Sequence, residues 1–481
     1  MQDDAITGSE GLGERPPLQV ADMPERTTSF WKLAGPGAVL VGLSIGAGEI
    51  IVWPRIAAQY GGTMVWAAIL GVFLQLWINF EIARWTVATG ETVFSGFARV
   101  WKGFAVVFLG FTIFGWIAPG WAMASGLALK ALLVGPDGFG SGTFWTGVTF
   151  AFVALLLFGP KLVYTGVEKS IELLIVVVVL GLVAVAVAVG TAEHWAELGR
   201  GALNVGKIAD GMSIKALFIA TVFAGAGGTA NLFYSFYLRD KHIGMGARLP
   251  GLANPLRGRT EKTPVGGFIY EDTPENARRF RDWFSYIRRE QTLLFYGLNT
   301  VTMLLFIFGA LAVLHPQGIV PQAGRLIWDE AKILESVWGS TGRTIFLLVG
   351  VATLFSTQLA LIDGCARSVS DIVYSNIPAA RKRDVSWWYV VVAAAWIVIG
   401  TTITWVMEQW EITELGFFFS AAYIGGFAMA VYVPLLLYVN FRYLPKSARP
   451  GPVHTFFTVV ASLVYVGFAV ACIIWELSPK P

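Results

Sequence analysis

The chain has few cysteines and few charged residues for its length. Two cysteines among 481 residues, Cys365 and Cys472, are too few and too far apart for a disulfide framework or a cysteine-based metal cluster. Charged residues make up 14% of the chain, against about 25% in an ordinary soluble domain, whereas hydrophobic residues make up 55%. These proportions exclude a soluble globular protein. They predict an all-α polytopic membrane protein with little room for a separate soluble domain.

Long apolar segments dominate what is present. Each is about 17 residues or more, enough for a helix rising about 1.5 Å per residue to cross a bilayer. The 103–133 segment is overlong and contains Pro119-Gly120, which predicts a kink. We predict eleven transmembrane helices, at about 36–58, 63–88, 103–133, 143–159, 171–190, 213–237, 291–314, 343–363, 385–406, 416–440 and 454–475.

The polar N-terminus and the loop charges predict the topology. Residues 1–29 show no periodicity and lack the basic region and short apolar core of a signal peptide, so we predict a disordered cytoplasmic tail. Basic residues concentrate in alternate loops, which the positive-inside rule makes cytoplasmic. The N-terminus is then cytoplasmic, the C-terminus is outside, and the membrane is a plasma or inner membrane. The basic loops are those at 99–102, 161–169, 238–290, 381–383 and 442–449.

The 238–290 stretch is the long cytoplasmic loop of this topology. It ends in a basic and aromatic run at helical spacing, Asn276–Arg289. Its charge alone would permit nucleic-acid binding, but we favour a juxtamembrane helix on anionic headgroups and predict no nucleic-acid partner. On the other side, Gln322–Trp338 predicts a short amphipathic helix at the interface.

Two spans are interrupted by glycines at their centres. The first holds LSIGAGEII (Leu43–Ile51) and the sixth holds FAGAGGTAN (Phe223–Asn231). Glycine weakens a helix, and a membrane helix can break only where the freed backbone faces protein or a water-filled cavity. Because these spans run in opposite directions, we predict a 5+5 inverted repeat, about 36–190 and 213–440, with an extra helix at 454–475. Such a repeat implies alternating access around a site at its interface.

Glu49 is the only carboxylate at either break. An ionisable residue at membrane depth is costly and therefore predicts a functional role. The alternative is a carboxylate that bridges two helices without binding a ligand. Two other sets of charges are spaced as intrahelical ion pairs, Glu81 with Arg84 and Asp363 with Arg367.

Two further features keep alternative interpretations. Asn299 and Gln358 either line the path or form helix–helix hydrogen bonds. Gly425-Gly426 in the tenth span, with Ser420 and Tyr423, either faces the site or lets helices approach closely.

Several stretches resemble the Nramp family of divalent-metal transporters along nearly the whole chain. Gly35-Pro36-Gly37, then Gln59-Tyr60-Gly61-Gly62 and Trp66, are similar to that family's first two helices. Ala83-Arg84 and Val87-Ala88-Thr89-Gly90 resemble its basic residue and Ala-Thr-Gly signature, and Asn231-Leu232-Phe233 resembles its Asn-Leu-Tyr. The resemblance implies the LeuT-like inverted-repeat fold of the amino-acid-permease superfamily, with helices 1 and 6 broken.

The metal-binding motifs of that family are altered here. The family's Asp-Pro-Gly-Asn corresponds to Gly46-Ala47-Gly48-Glu49, and its methionine, proline and histidine correspond to Gly228, Thr229 and Ala230. Its carbonyl-donating position falls on Gly225. The resemblance therefore implies a divergent member without the soft sulfur ligand.

These changes predict an all-oxygen site in a widened cavity. Carboxylate, carbonyl and water ligands suit magnesium, calcium and manganese, and magnesium keeps several waters. Small residues at Gly46, Gly228 and Ala230 predict room for a partly hydrated ion, and an organic cation would fit equally. The candidate site residues are Ser44, Gly46, Gly48, Glu49, Gly225, Gly228, Thr229 and Asn231.

The sequence therefore predicts a secondary transporter of a hard divalent cation, such as magnesium or manganese. Its expected partners are the cation and the bilayer. We predict no enzyme activity and no cofactor, and the oligomeric state stays open, a monomer included. Ile45–Gly48 also resembles the first-span motif of amino-acid permeases, whose exposed amides hold a carboxylate, although Glu49 would repel that group. A non-transporting sensor has no positive support in the sequence.

Proton coupling is not expected, because a membrane proton relay needs a chain of titratable groups. In the Nramp family, as the resemblance implies, the chain includes a first-span aspartate and a sixth-span histidine, here Gly46 and Ala230. The 103–133 span contains no acid, and the 385–406 span contains no arginine. All four histidines lie in loops or at span ends: His194, His242, His315 and His454.

Overall fold

The computed structural model describes residues 15–27, 45–159, 176, 179–250 and 264–478. The first half contains β1 (Gln19–Val20), a π-helical turn (Ile45–Val52), α1 (Trp53–Tyr60), α2 (Val65–Thr89), α3 (Val93–Val100), α4 (Gly103–Trp116), α5 (Gly120–Val134), α6 (Gly142–Phe158), α7 (Val179–Ala188) and α8 (Ala192–Leu203).

The second half is also mainly helical. It contains α9 (Ile214–Val222), a 3-10 segment (Gly228–Phe233), α10 (Tyr234–Asp240), β2 (Phe268–Ile269), α11 (Pro274–Glu290), α12 (Asn299–Gly309) between π-helical turns Gln291–Leu298 and Ala310–Leu314, α13 (Leu326–Glu330), α14 (Lys332–Asn376), α15 (Val385–Gln409), α16 (Glu414–Tyr443) and α17 (Pro452–Leu477). Below, span 1 is Ile45–Tyr60, span 2 is α2, span 3 is α4 with α5, span 6 is α9 to α10, span 7 is Gln291–Leu314, and spans 8 to 11 are α14 to α17.

Seven helices in these ranges are long and apolar enough to cross a membrane, and the pair α7 and α8, bent by 118°, would make an eighth. The predicted all-α polytopic membrane architecture is therefore confirmed. The count of eleven stays a prediction, for three physical reasons. Spans 1 and 2 continue as one helical stretch across Gly61, span 6 is divided by its break, and α6 has only 17 residues.

The kinks fall at the residues that cannot continue a helix. Span 3 ends one helix at Trp116 and begins the next at Gly120, as Pro119-Gly120 predicts. The predicted amphipathic helix before span 8 consists of α13 and the first turns of α14. Gly339, with φ of 59°, then bends α14 into the long apolar helix.

The N-terminal segment is more ordered than its composition predicts. Residues 15–27 are described as an extended segment, whose β1 pairs in parallel with β2 through Gln19 opposite Phe268. Met23 is fully buried, and its amide donates to Asn276 Oδ1 at 3.0 Å. The prediction of a disordered tail is therefore wrong for residues 15–27. Their order comes from contacts with a segment some 250 residues away, which a search for local periodicity does not detect.

The basic run in the 238–290 loop forms the predicted helix, α11. Its apolar face is buried against the rest of the protein, with Phe280, Trp283 and Ile287 all below one-tenth exposed. Its exposed residues include Arg278 and Arg281. The apolar face of α11 thus packs against the protein itself rather than against lipid. Contact of the exposed arginines with lipid headgroups stays a prediction.

Both predicted intrahelical ion pairs are confirmed. Arg84 Nε lies 3.0 Å from Glu81 Oε2, and Arg367 Nε lies 2.8 Å from Asp363 Oδ2. Each pair also binds another part of the chain, since Asn440 Nδ2 donates to Glu81 Oε2 at 2.8 Å. We call this end of the molecule, where the loops after spans 2, 6, 8 and 10 lie, the basic side.

Candidate functional site

The two glycine-interrupted segments meet in the interior of the protein. A methyl group added at Gly48 would lie 1.7 Å from the carbonyl oxygen of Phe223, so the two backbones are in direct contact. Residues Ile45–Val52 form a π-helical turn, a wider coil that is often found at functional sites. The described part of span 1 is thus helical, and Gly46 lies within this turn rather than in unwound backbone.

Glu49 follows Gly48 in the same turn and is fully buried. Neither of its carboxylate oxygens has a hydrogen-bond partner among the described residues. The hydroxyl of Thr302 on span 7 lies beside the carboxylate. That hydroxyl is within donating distance of its own helix carbonyls, 2.9 Å from Leu298 O and 3.1 Å from Asn299 O. The Thr302 hydroxyl proton is therefore shared between its own helix and the carboxylate, and Thr302 is the one donor beside Glu49 among the described residues.

Span 7 also reaches the sixth-span break. The side-chain amide of Asn299, one turn before Thr302, donates to the carbonyl of Ala224 at 3.1 Å. Its Oδ1 has no partner among the described residues. Of the two roles open for Asn299, a hydrogen bond to a neighbouring span is confirmed. One face of α12 thus places Thr302 near the first break and Asn299 at the second.

Gln75 on span 2 holds the broken backbone of span 6. Its Oε1 accepts from the amide of Gly227 at 3.1 Å, and its Nε2 donates to the carbonyl of Val222 at 2.9 Å. A methyl group at Gly225 would lie 2.4 Å from the same Oε1. A broken membrane helix needs such partners because no water is present to satisfy its backbone. Gly225 therefore faces span 2.

The remaining candidates of span 6 are bound to spans 2, 3 and 10. Trp116 Nε1 donates to Thr229 Oγ1 at 2.8 Å, and the Asn231 side-chain amide lies 3.4 Å from Gln75 Oε1. Neither Thr229 nor Asn231 is hydrogen-bonded to Glu49 in the described structure. Ser44, the last of the candidates, lies outside the described residues.

Gly228 does not widen a cavity at the sixth-span break. It has φ of 62°, and a methyl group there would lie 2.9 Å from the Cα of Gly425 in span 10. Tyr432 of the same span donates to the Gly228 carbonyl at 3.0 Å. The expectation of empty space at this position is therefore wrong, because two glycines let the helices touch. This contact shows the close helix approach that is one of the two interpretations of Gly425.

Sequence reasoning missed several polar residues around the breaks. In the sequence, Gln75 and Thr302 are isolated polar residues within apolar helices. The one signal that could have marked them as site residues is their position inside a span, far from the charged loops. Glu330 on α13 is fully buried, with neither oxygen bonded among the described residues. Burial, with a smaller contribution from Asp329, raises the pKa of Glu330 well above its usual range. Gln358, which the sequence analysis did name, is also buried, and both of its amide atoms lack partners in the same ranges, so the helix–helix hydrogen bond considered for it is not seen there.

The basic side is closed by bonds between spans 6 and 8. Arg239 Nη1 lies 3.1 Å from Asp371 Oδ1, and Thr92 donates to the other oxygen of that carboxylate at 2.8 Å. Arg367 forms a second ion pair across the same boundary, with Asp240. In the described structure Glu49 is buried, and these bonds join spans 6 and 8 on the basic side.

The comparisons with known proteins find matches in structure and none in sequence. No family model matches the chain, and no curated protein does. A crystal structure of an Eremococcus coleocola manganese transporter, in complex with an aromatic bis-isothiourea substituted compound, matches with a TM-score of 0.63 at 14% identity, over 97% of this chain and 92% of that one.

More distant matches have other ligands. The structure of MhsT in complex with L-phenylalanine matches with a TM-score of 0.51 at 13% identity, over 94% of this chain and 99% of that one. A nucleobase-cation-symport-1 family transporter in a closed conformation matches with a TM-score of 0.51 at 14% identity, over 94% and 89%. At such identities the likeness establishes the fold. The chain is an all-α membrane protein of the LeuT-like fold.

Proposed function

We propose that the chain is a secondary transporter that moves a hard divalent cation, such as magnesium or manganese, by alternating access. The observation that supports this most is the carboxylate of Glu49, buried where the two broken spans meet and without a hydrogen-bond partner among the described residues. Buried charges in proteins are paired or bind ions, because an isolated carboxylate in the interior is very costly. The orientation predicted from the loops places the basic side in the cytoplasm.

We propose that oxygen atoms supply the ligands of this site. Besides Glu49, the proposed ligands are Thr302 Oγ1, which lies beside the carboxylate, and, from the contact between the two breaks, Asn299 Oδ1 and the main-chain carbonyls of Phe223 and Ala224. Hard cations prefer such ligands, and magnesium commonly uses one or two carboxylates with retained waters. Among the described residues, no group of three or more His, Cys, Asp and Glu side chains could hold a metal ion. The proposed site therefore relies on one charge and several neutral oxygens.

We expect uptake into proteoliposomes without a marked preference for manganese or cadmium over magnesium, because the proposed site has no sulfur or imidazole ligand. The measurement is competition against radiolabelled manganese uptake by unlabelled magnesium and cadmium, with empty liposomes as the control. Cadmium competing at a hundredth of the magnesium concentration would refute the hard-cation proposal.

We also expect uptake without stoichiometric proton movement. Each divalent ion gains about 4.6 kcal/mol from a 100 mV interior-negative potential, since one charge gains about 2.3 kcal/mol. That potential drives entry without a proton gradient. A pH-sensitive dye inside the liposomes should report no acidification when a potassium diffusion potential drives uptake. Acidification that rises in proportion to cation uptake would contradict this expectation.

A second candidate is an amino acid or organic cation as substrate. It is favoured by the fold shared with MhsT in complex with L-phenylalanine and by the glycines of the first-span motif. In this case the amine of the substrate would meet Glu49. Adding amino acids and polyamines to the uptake assay separates the two candidates. Only the amino-acid or organic-cation candidate predicts that these compounds compete with manganese for uptake.

A further inference from the structure

A surface groove on the basic side lies away from the two breaks. It has a volume of about 530 Å³ and lies between the β2 region and the segment that joins spans 10 and 11. Its lining includes three cationic side chains, Arg442, Lys446 and Arg449, against one carboxylate, Asp272. All three cations are exposed. The groove therefore has an excess of positive charge.

The cations have no acidic partner among the described residues. None of the three forms an ion pair with a described carboxylate, and Arg449 Nε donates to the carbonyl of Leu444 at 3.1 Å. Asp272 is partly occupied, since it accepts from the amide of Ser447 at 3.2 Å. The positive charge of the groove is thus available to a ligand.

The backbone that carries the cations is fixed by buried groups. Arg84, which is buried, donates to the carbonyl of Ala448 at 2.9 Å. Tyr443 donates to the carbonyl of Arg99 at 3.0 Å, and the hydroxyls of Tyr270 and Ser447 lie 3.2 Å apart. Burial raises the pKa of Tyr270, so its phenol stays neutral. The groove is therefore preorganised rather than formed by mobile side chains alone.

Apolar surface adjoins the groove on both neighbouring helices. The last turns of span 10 expose Tyr438 by 53% and Phe441 by 39%, and the start of span 11 exposes Val453 by 59% and Phe456 by 61%. A free phosphate ion would use only the cations. A lipid would place its headgroup in the groove and its chains along this apolar surface.

We infer that the groove formed by Arg442, Lys446 and Arg449 is a binding site for the phosphodiester headgroup of an anionic phospholipid. Basic pockets at helix ends on the cytoplasmic side are suited to such headgroups. The ligand would tie the ends of spans 10 and 11 to the 264–276 segment. This inference does not depend on the identity of the transported substrate.

The test measures lipid binding by the purified full-length protein. In native mass spectrometry, phosphatidylglycerol should bind in preference to phosphatidylcholine. The triple variant Arg442→Gln/Lys446→Gln/Arg449→Gln should bind it about 100-fold more weakly, since each cation near the headgroup contributes roughly fivefold. Inorganic phosphate at millimolar concentration should not compete. Full competition by phosphate would show a free-anion site and overturn the lipid assignment.

Two further variants separate the groove from general surface charge. Lys241→Gln/Lys382→Gln/Arg383→Gln removes three exposed cations from the same side and should leave lipid binding unchanged. Asp272→Asn removes the carboxylate that repels an anionic headgroup and should strengthen lipid binding about fivefold. If Asp272 had only a structural role, its loss would not strengthen binding. Equal weakening in both triple variants would overturn the inference, as would unchanged binding in the groove variant.

Discussion

Glu49→Gln is expected to weaken cation binding by more than 100-fold and to abolish uptake. The carboxylate is the only charged group at either break, and loss of even an outer-shell partner commonly costs about 10- to 100-fold in metal affinity. Calorimetry with magnesium and manganese measures the binding directly. The neutral amide has nearly the same shape and removes a buried unpaired charge, so we expect the variant to fold.

Two controls separate charge from structure at this position. Glu49→Asp keeps the charge on a shorter side chain and should retain measurable binding. Glu193→Gln removes a carboxylate that is 74% exposed on α8 and should bind the cation like the original protein. Unchanged cation affinity in Glu49→Gln, with a normal unfolding temperature, would refute the proposed ligand role.

Gly48→Ala is expected to reduce uptake more than tenfold. The added methyl group would lie 1.7 Å from the Phe223 carbonyl oxygen, so the two breaks must separate by about 1.7 Å to reach an ordinary contact of 3.4 Å. Overpacking of this kind typically costs about 1–3 kcal/mol of stability. Uptake and thermal unfolding, measured on the same preparation, test both effects.

Gly110→Ala is the matched control for this substitution. Gly110 lies inside α4, and a methyl group there would meet no atom within 4 Å. Alanine favours a helix over glycine by about 0.5–1 kcal/mol, so this variant should be at least as stable and should transport normally. If Gly48→Ala behaved in the same way, the contact between the two breaks would not be needed for function.

The structure suggests which contacts must change during transport. The Gly48–Phe223 contact closes the centre, and the bonds of Arg239 with Asp371 and of Arg367 with Asp240 close the basic side. Opening towards the basic side requires that spans 6 and 8 separate at these ion pairs. Opening in the other direction can leave them intact. Within the function proposed above, the described conformation therefore corresponds to a state that is closed on the basic side.

The sequence predicts the fold well because its strongest signals are local. Apolar length predicts the membrane helices, Pro119-Gly120 predicts the kink in span 3, and charge spacing predicts the pairs of Glu81 and Asp363. Glycine composition also predicts where span 6 is interrupted, whereas the described part of span 1 stays helical as a π-helical turn. Each of these features depends on residues that are close together along the chain.

The partners of the breaks could not be predicted, because they come from distant spans. Nothing near Gln75 indicates that it holds Gly227, some 150 residues away. A glycine such as Gly228 is ambiguous in sequence, since it can make room for a ligand or for another helix. Here Gly425 occupies that space. The N-terminal segment was missed for the same reason, because its order comes from β2 and α11.

Anomalous diffraction from crystals grown with manganese tests the central claim most directly, because it locates the ion without relying on function. The account predicts one strong peak about 2.0–2.6 Å from a carboxylate oxygen of Glu49, on the side of Thr302 and Asn299. The peak should be absent in crystals of Glu49→Gln grown in the same way. A peak elsewhere, or one that persists at the same place in Glu49→Gln, would contradict the account.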